Sequence, residues 1–378
     1  MTAEGAREFE ALETQAANLM TLFSSKGYER VAPSFIQPAS LLLDRIGEGL
    51  RARTYVFTDP NGEELCLRPD LTIPVCRVFM ERGAPAGAAK FCYNGPAFRV
   101  QEGKPDRLRP REFRQAGIEY FGSNAPDADL EVFALTTEAV WRSGVRAFTV
   151  RIGHLGLFKA LLNGLRIPPR WRERLGRSFW RHAAFARELA LLSRMKTEGM
   201  PDIPDAALTE GGLLHLLDSG GIPLVGLRRP AEIVKRLRDK AADANEPPLS
   251  PETVRLAENY LRTRGEPAAA LDALQELTDR AGLDLGRALE DARTLFTRLK
   301  TLARPAPVVF EADFGRHFEY YTGMVFQIEM EGAGVPGQIA GGGRYDGLIG
   351  ALSRGEHDVP AVGAAIHTER LLAAVPQG

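Results

Sequence analysis

The chain has 378 residues, 44% hydrophobic and 26% charged, the profile of an ordinary globular protein with room for two or three folding units. Its 48 Lys and Arg stand against 49 Asp and Glu, a formal net charge of -1, so the basic excess with which proteins grip large nucleic acids is missing. The residues Met1 to Glu8 lack the apolar stretch of a signal peptide and no apolar run is long enough to span a bilayer, which predicts a cytoplasmic protein away from membranes.

In chain order, Phe9, Leu12, Ala16, Leu19, Met20 and Phe23 recur at three- and four-residue spacing. They predict an amphipathic helix from Arg7 to Ser25, stopped by Gly27. An extended segment, Tyr28 to Pro33, follows. Thr54–Thr58 and Glu64–Leu67 flank Asp59-Pro-Asn-Gly62 and predict a hairpin. Cys66, Cys76 and Cys92 sit in apolar surroundings without a C-x-x-C pair, which predicts reduced thiols and neither a disulfide nor a metal site. Two more strands, Lys90 to Val100 and Glu112 to Phe121, are joined by a loop holding Lys104, Arg107, Arg109 and Arg111. A helix from about Asp127 to Arg142 closes at Gly144. The expected class is α+β: antiparallel strands with helices on one side and no regular βαβ alternation.

Composition shifts near Pro168-Pro169. Residues 165–304 read as a mostly helical insertion, and strand chemistry returns at Pro307–Phe310 and Thr322–Glu329. The core is therefore expected to comprise 1–160 and 305–378. Inside the insertion Arg166, Arg170, Arg172, Arg174, Arg177 and Arg181 interleave with Trp171, Phe179 and Trp180. A solvated helix face with an aromatic seam, an RNA contact and a protein-partner surface all fit that pattern.

Four segments carry chemistry. In Leu67-Arg-Pro-Asp-Leu-Thr72, Asp70 and Thr72 can place two oxygens near one ammonium group, or can be an ordinary strand-ending turn. On the strand ending at Phe121, Gln115, Gly117 and Glu119 share one face, either a ligand floor or a half-wet strand, and Arg99 reaches in from its partner. Gly315-Arg-His-Phe-Glu-Tyr-Tyr-Thr-Gly323 is followed by Ala340-Gly-Gly-Gly-Arg-Tyr-Asp-Gly347, whose glycines permit close backbone approach. Ala361 to Leu371 reads as a strand running into a helix with Arg370 at the junction. Gly332-Ala-Gly-Val-Pro-Gly337 satisfies G-x-G-x-x-G, but Pro336 and the missing βαβ context rule out a dinucleotide fingerprint.

Taken in order, these segments resemble the class II aminoacyl-tRNA synthetase core, specifically its histidyl branch. Gly27–Pro33 resembles motif 1, Phe98-Arg99 with the return strand motif 2, and Ala361–Leu371 motif 3. Arg316 with Tyr320-Tyr321, and Gly342 to Gly347, resemble the histidine-recognition signatures. The resemblance covers about the first 160 and last 70 residues. It implies a pocket in which Asp70, Thr72 and Gln115 hold the α-amino group of histidine. Glu119 and Tyr321 would face the imidazole, and Arg316 the carboxylate end. Arg99 and Tyr320 complete the candidate set.

The departures lie at the nucleotide end. His367 stands where motif 3 normally has glycine, and Arg99-Val-Gln101 replaces Arg-x-Glu. His317 and Glu319 replace an expected glycine and aspartate, and no anticodon-binding domain is expected after motif 3. Gln101, Arg109, Arg111, His367 and Arg370 then mark a vestigial nucleotide site. The pattern is similar to a family of synthetase paralogues that regulate short-form ATP phosphoribosyltransferase in histidine biosynthesis. It implies a non-enzymatic subunit with no cofactor and no metal, bound to the catalytic subunit and self-associating through the motif 1 region, with histidine as a candidate ligand and tRNA disfavoured. The competing expectation is a truncated synthetase that still forms histidyl-adenylate.

Overall fold

The computed structural model describes residues 5–40, 52–84, 87–101, 110–124, 126–179, 181–194, 203–223, 230–303, 306–315, 320–330 and 338–375. Of the expected site residues, Arg109 and Arg316 lie outside these ranges, as do His317 and Glu319. The chain divides into two compact units, Met1–Gly164 with Tyr260–Gly378, and Leu165–Asn259.

In the first unit, helix α1 (Ala6–Ser25) buries Leu12, Ala16, Leu19, Met20 and Phe23, while Phe9 of the expected stripe remains 47% exposed. Gly27 at φ +85° lets the chain reverse, with the Tyr28 amide donating to Phe23 O at 3.2 Å. Strand β1 (Glu29–Arg30) follows. A small sheet then pairs β2 (Ile36–Pro38), β3 (Val56–Thr58) and β4 (Glu64–Leu67) in the order β2-β4-β3, the last two being the expected hairpin. Helix α2 (Thr72–Glu81) leads to the long hairpin of β5 (Ala89–Phe98) and β6 (Glu112–Phe121), and α3 (Asp127–Arg142) follows it. Strand β7 (Thr149–His154) and α4 (Leu155–Gly164) close this first part of the unit.

The second unit is helical: α5 (Pro169–Ser178), α6 (His182–Ser193), a short 3-10 turn, α7 (Glu210–Ser219), α8 (Pro230–Ala244) and most of α9 (Pro251–Arg262). Its Arg/Trp-rich segment turns inward. Asp243, 3% exposed, accepts from Arg170 Nε at 2.6 Å, Trp171 Nε1 at 2.5 Å and Arg174 Nη1 at 2.8 Å. Trp171 and Phe179 are buried, so two of the arginines are internal struts, and Arg166, Arg177 and Arg181 are exposed. Asp243→Ala is expected to cost about 2–3 kcal/mol, because it strips charge-assisted bonds and leaves the Trp171 N–H buried without its acceptor. A thermal melt that matches wild type would refute that role.

The chain returns to the first unit through β8 (Arg264–Gly265), α10 (Pro267–Arg280) and α11 (Arg287–Leu302). The inserted unit therefore ends at Asn259, well short of residue 304. The physical reason is packing: Phe296 of α11 lies 5.5 Å from Phe310, and Arg298 pairs with Asp127 at 2.9 Å. Strands β9 (Val308–Glu311), β10 (Met324–Glu329) and β11 (Gln338–Arg344), helix α12 (Gly347–Leu352), β12 (Ala361–His367) and α13 (Thr368–Ala374) complete it.

One nine-stranded sheet runs β1-β5-β6-β12-β11-β10-β7-β9-β8. It is antiparallel apart from β1 with β5 and β7 with β9. Helices cover both faces, not one. Phe133 of α3 meets Phe326 at 5.2 Å on one side, and Phe79 of α2 stacks on Phe121 at 4.4 Å on the other. On the α3 side, Arg344 of β11 is clamped to Asp129 at 2.8 and 3.0 Å, both side chains under 10% exposed. All three cysteines are free and buried. Among the described residues no helix is long and apolar enough to cross a membrane, and no His/Cys/Asp/Glu group has the arrangement of a metal site.

Candidate functional site

The face opposite α3 is built for close approach. Register places Glu119 of β6 opposite Gly363 of β12, which in turn faces Gly343 of β11; one step along, Gly117 faces Ala365, which faces Gly341. Gln115, Gly117 and Glu119 therefore do share a face, and small residues continue it across the neighbouring strands. The glycines are sterically required. A Cβ on Gly363 would lie 2.5 Å from Glu119 Cδ, and one on Gly117 would lie 2.5 Å from Tyr93 Cζ.

Glu119 has no exposed surface. Tyr93 of β5 donates to its Oε1 at 3.0 Å, and Tyr345, just past β11, donates to its Oε2. Thr72 also hydrogen-bonds it. Burial pushes the carboxyl up to about 7, against the three hydroxyl donors and with added repulsion from Asp70. The Tyr93 and Tyr345 phenols are held well above their ordinary range, first by burial and then by Glu119, so they stay neutral donors. Tyr320 and Tyr321 wall the same space, their rings 4.8 Å apart and 5.7 and 6.4 Å from Tyr345.

Asp70 sits 3% exposed at the entrance to α2, where its Oδ1 accepts the Ile73 amide at 3.3 Å. Beside it, Arg68 is locked by Pro96 O at 2.7 Å and Pro33 O at 2.5 Å and lies over the Phe35 ring; burial lowers its guanidinium to about 10. Gln115 is buried, and its Oε1 accepts no hydrogen bond among the described residues. Four residues of strand separate Gln115 from Glu119, about 13 Å along the backbone. That span suits a small ligand lying along β6 and held at both ends.

The other end is crowded. His367 lies directly across from Gln115 and packs against Phe113 at 5.3 Å, while the Arg99 guanidinium lies 4.7 Å from the same ring centre and donates to Pro69 O at 2.7 Å. Gln101 donates to Pro110 O at 3.1 Å, and the exposed Arg111 offers its carbonyl to the Arg99 amide. Arg370 donates to Gln338 O at 3.0 Å from α13. The structure thus brings together Asp70, Thr72, Glu119, Tyr320 and Tyr321, and puts Gln115, Arg99 and His367 at the neighbouring end. Sequence reasoning left out Tyr93 and Tyr345 as ligands of Glu119. The signal for Tyr345 lay inside Gly-Gly-Gly-Arg-Tyr-Asp; Tyr93 shows only once β5 is registered against Gly117.

The nine-stranded, mostly antiparallel sheet with helices on both faces has a class II synthetase-like fold. Residues 5–213 and 229–371 match the family model described as histidyl-tRNA synthetase. ATP phosphoribosyltransferase regulatory subunits from Mesorhizobium japonicum and Rhizobium rhizogenes are each 34% identical over 370 residues, 94% of this chain and 96% of theirs. One from Brucella anthropi is 33% identical over 91% of this chain and 92% of its own. In fold, the chain is similar to a solved ATP phosphoribosyltransferase regulatory subunit/histidyl-tRNA synthetase from Bacillus halodurans, with a TM-score of 0.68 at 22% identity, covering 100% of this chain and 82% of that one. It is similar also to the histidyl-tRNA synthetase of Nostoc, with a TM-score of 0.63 at 17% identity, covering 97% and 72%. The chain belongs to the histidyl-tRNA synthetase family, and within it to the group of ATP phosphoribosyltransferase regulatory subunits.

Proposed function

We propose that the chain is a non-catalytic regulatory subunit that binds the catalytic subunit of a short-form ATP phosphoribosyltransferase in the cytoplasm and senses histidine. The observation that carries the reading is the asymmetry of the pocket. Asp70, Gln115, Glu119 and Tyr321, groups suited to an amino acid, are buried, whereas His367 packs against Phe113 at the end where a synthetase would need room for a nucleotide. Names of relatives at 34% identity over nearly the whole chain support the same reading.

In this proposal Asp70, Thr72 and Gln115 hold the α-amino group, the orphan Gln115 Oε1 being an acceptor in need of a donor. Glu119 and Tyr321 address the imidazole, Tyr320 walls it, and Arg99 and Arg316 serve the carboxylate end. Three or four charge-assisted hydrogen bonds of about 1.5–3 kcal/mol each, less ordering costs, support roughly micromolar binding. Gln101, Arg109, Arg111, His367 and Arg370 are the remnant of a nucleotide site, with no cofactor, metal or tRNA in the present role. Self-association runs through Gly27–Pro33.

The test is mixing. The chain and a short-form transferase should co-elute, the transferase should gain activity, and histidine should inhibit the complex through a difference in its affinity between assembly states. Neither complex nor activation would end the proposal. Histidine-dependent pyrophosphate exchange by the chain alone would replace it with the truncated-synthetase reading.

A further inference from the structure

Among the described residues, the carboxylate at the centre of the site has donors but no countercharge. Both Glu119 oxygens accept from tyrosyl hydroxyls, and among the described residues no Lys, Arg or His pairs with it. The groups facing it come from every side. Strand β5 gives Tyr93, and α2 with its lead-in gives Asp70, Thr72 and Cys76. The segment past β11 gives Tyr345, the segment before β10 gives Tyr320 and Tyr321, and β12 presents only the backbone of Gly363. The Cys76 thiol is fully buried and held well above its ordinary range by that burial, so it stays neutral. A second carboxylate, Asp70, adds repulsion.

We infer that the pocket takes its ligand's imidazole with a single proton shared between ring and Glu119, so that the ring supplies a positive charge found on none of the described residues paired with Glu119. This rests on the histidine-pocket reading above. In the empty protein Glu119 titrates near 7, and a free imidazole titrates near about 6.5. Below both values the two partners carry two protons and must release one to bind. Above both they carry none and must take one up. At intermediate pH one proton is already present on the pair, and it moves from the carboxyl oxygen to the ring nitrogen with no net exchange.

Binding is therefore tightest near neutral pH and weakens on both sides, approaching tenfold per pH unit. Asp70 keeps the optimum from being lower by opposing a charged Glu119 in the empty state.

The experiment is calorimetric titration of the full chain with L-histidine from pH 5.5 to 8, in two buffers of different ionisation enthalpy at each pH. Proton release at pH 5.5, uptake at pH 8 and a change of sign near neutrality are the expected results. Glu119→Gln, which keeps the shape and removes the titration, should lose the uptake at pH 8. A histidine analogue with a weakly basic 1,2,4-triazole ring should bind at pH 8 without taking up a proton. Clear histidine binding with a proton count that stays flat across the range would overturn the shared proton and leave the pocket standing. Absence of histidine binding at every pH would overturn the pocket itself, and this inference with it.

Discussion

Asp129→Ala is expected to destabilise the sheet unit by about 3–5 kcal/mol, the largest loss foreseen for any single residue here. Asp129 on α3 and Arg344 on β11 are 215 residues apart in sequence, joined by hydrogen bonds of 2.8 to 3.0 Å in a region almost without solvent. Burial lifts the Asp129 carboxyl even with the guanidinium beside it, so desolvation offsets much of the attraction within the intact pair. Removing one partner is different: it takes the acceptor from Nε and Nη2 of the buried guanidinium and leaves Nη1 on the half-exposed Asp346 at 2.8 Å and Ser123 O at 3.0 Å. Chemical denaturation followed by circular dichroism measures the loss. The double replacement Asp129→Leu with Arg344→Met should recover most of it, since neither charge is then left buried alone. A single variant as stable as wild type would show that the pair holds nothing together.

The second large effect belongs to Gly363→Ala. One added methyl would collide with the Glu119 carboxyl, 2.5 Å from Cδ and closer still to Oε2, with Ile118 O only 2.8 Å away. Neither neighbour can yield cheaply, because the carboxyl is pinned by two tyrosines and the carbonyl belongs to the adjoining strand. The expected cost is about 3 kcal/mol, with loss of any histidine-induced rise in melting temperature. The decisive measurement is a double-mutant cycle with Glu119→Ala. If the contact is what hurts, the double variant is more stable than Gly363→Ala alone. Additive losses would place the strain elsewhere in β12.

Much of this was legible from the chain, for identifiable reasons. The hairpin of β5 and β6 and the helix α3 match their expected limits closely, because alternation and three-four spacing run uninterrupted through them. Gln115, Gly117 and Glu119 share a face as period two requires. Other features depend on partners far away in sequence. Helices α10 and α11 look no different in composition from the inserted helices before them; contacts distant in sequence, such as Phe296 with Phe310 and Arg298 with Asp127, tie α11 to the sheet unit. The glycines of Ala340 to Arg344 read as permitting close backbone approach, and they lie in strand β11, where neighbours on either side leave no room for a Cβ at Gly342 or Gly343. The Arg/Trp-rich segment by its pattern fits a solvated face, an RNA contact or a partner surface; the acceptor that draws Arg170 and Arg174 partly inward, Asp243, lies some seventy residues later. Tyr93 offers no local sign of its role, since its partner Glu119 lies across the hairpin.

The strand order has a consequence for how the protein is made. Strand β12 is the last in sequence but stands fourth in the sheet, between β6 and β11. While the chain is being synthesised, the β5–β6 hairpin and the β11–β10 pair have no common neighbour until residues 361–367 emerge, and the Glu119 side of the pocket has no opposite wall. Two half-sheets with unpaired edges must wait, a state open to mispairing with other chains. Closure of the sheet thus waits on residues 361–367. A chain cut short before Ala361 would be lost to proteolysis or aggregation rather than accumulate as a partly active fragment.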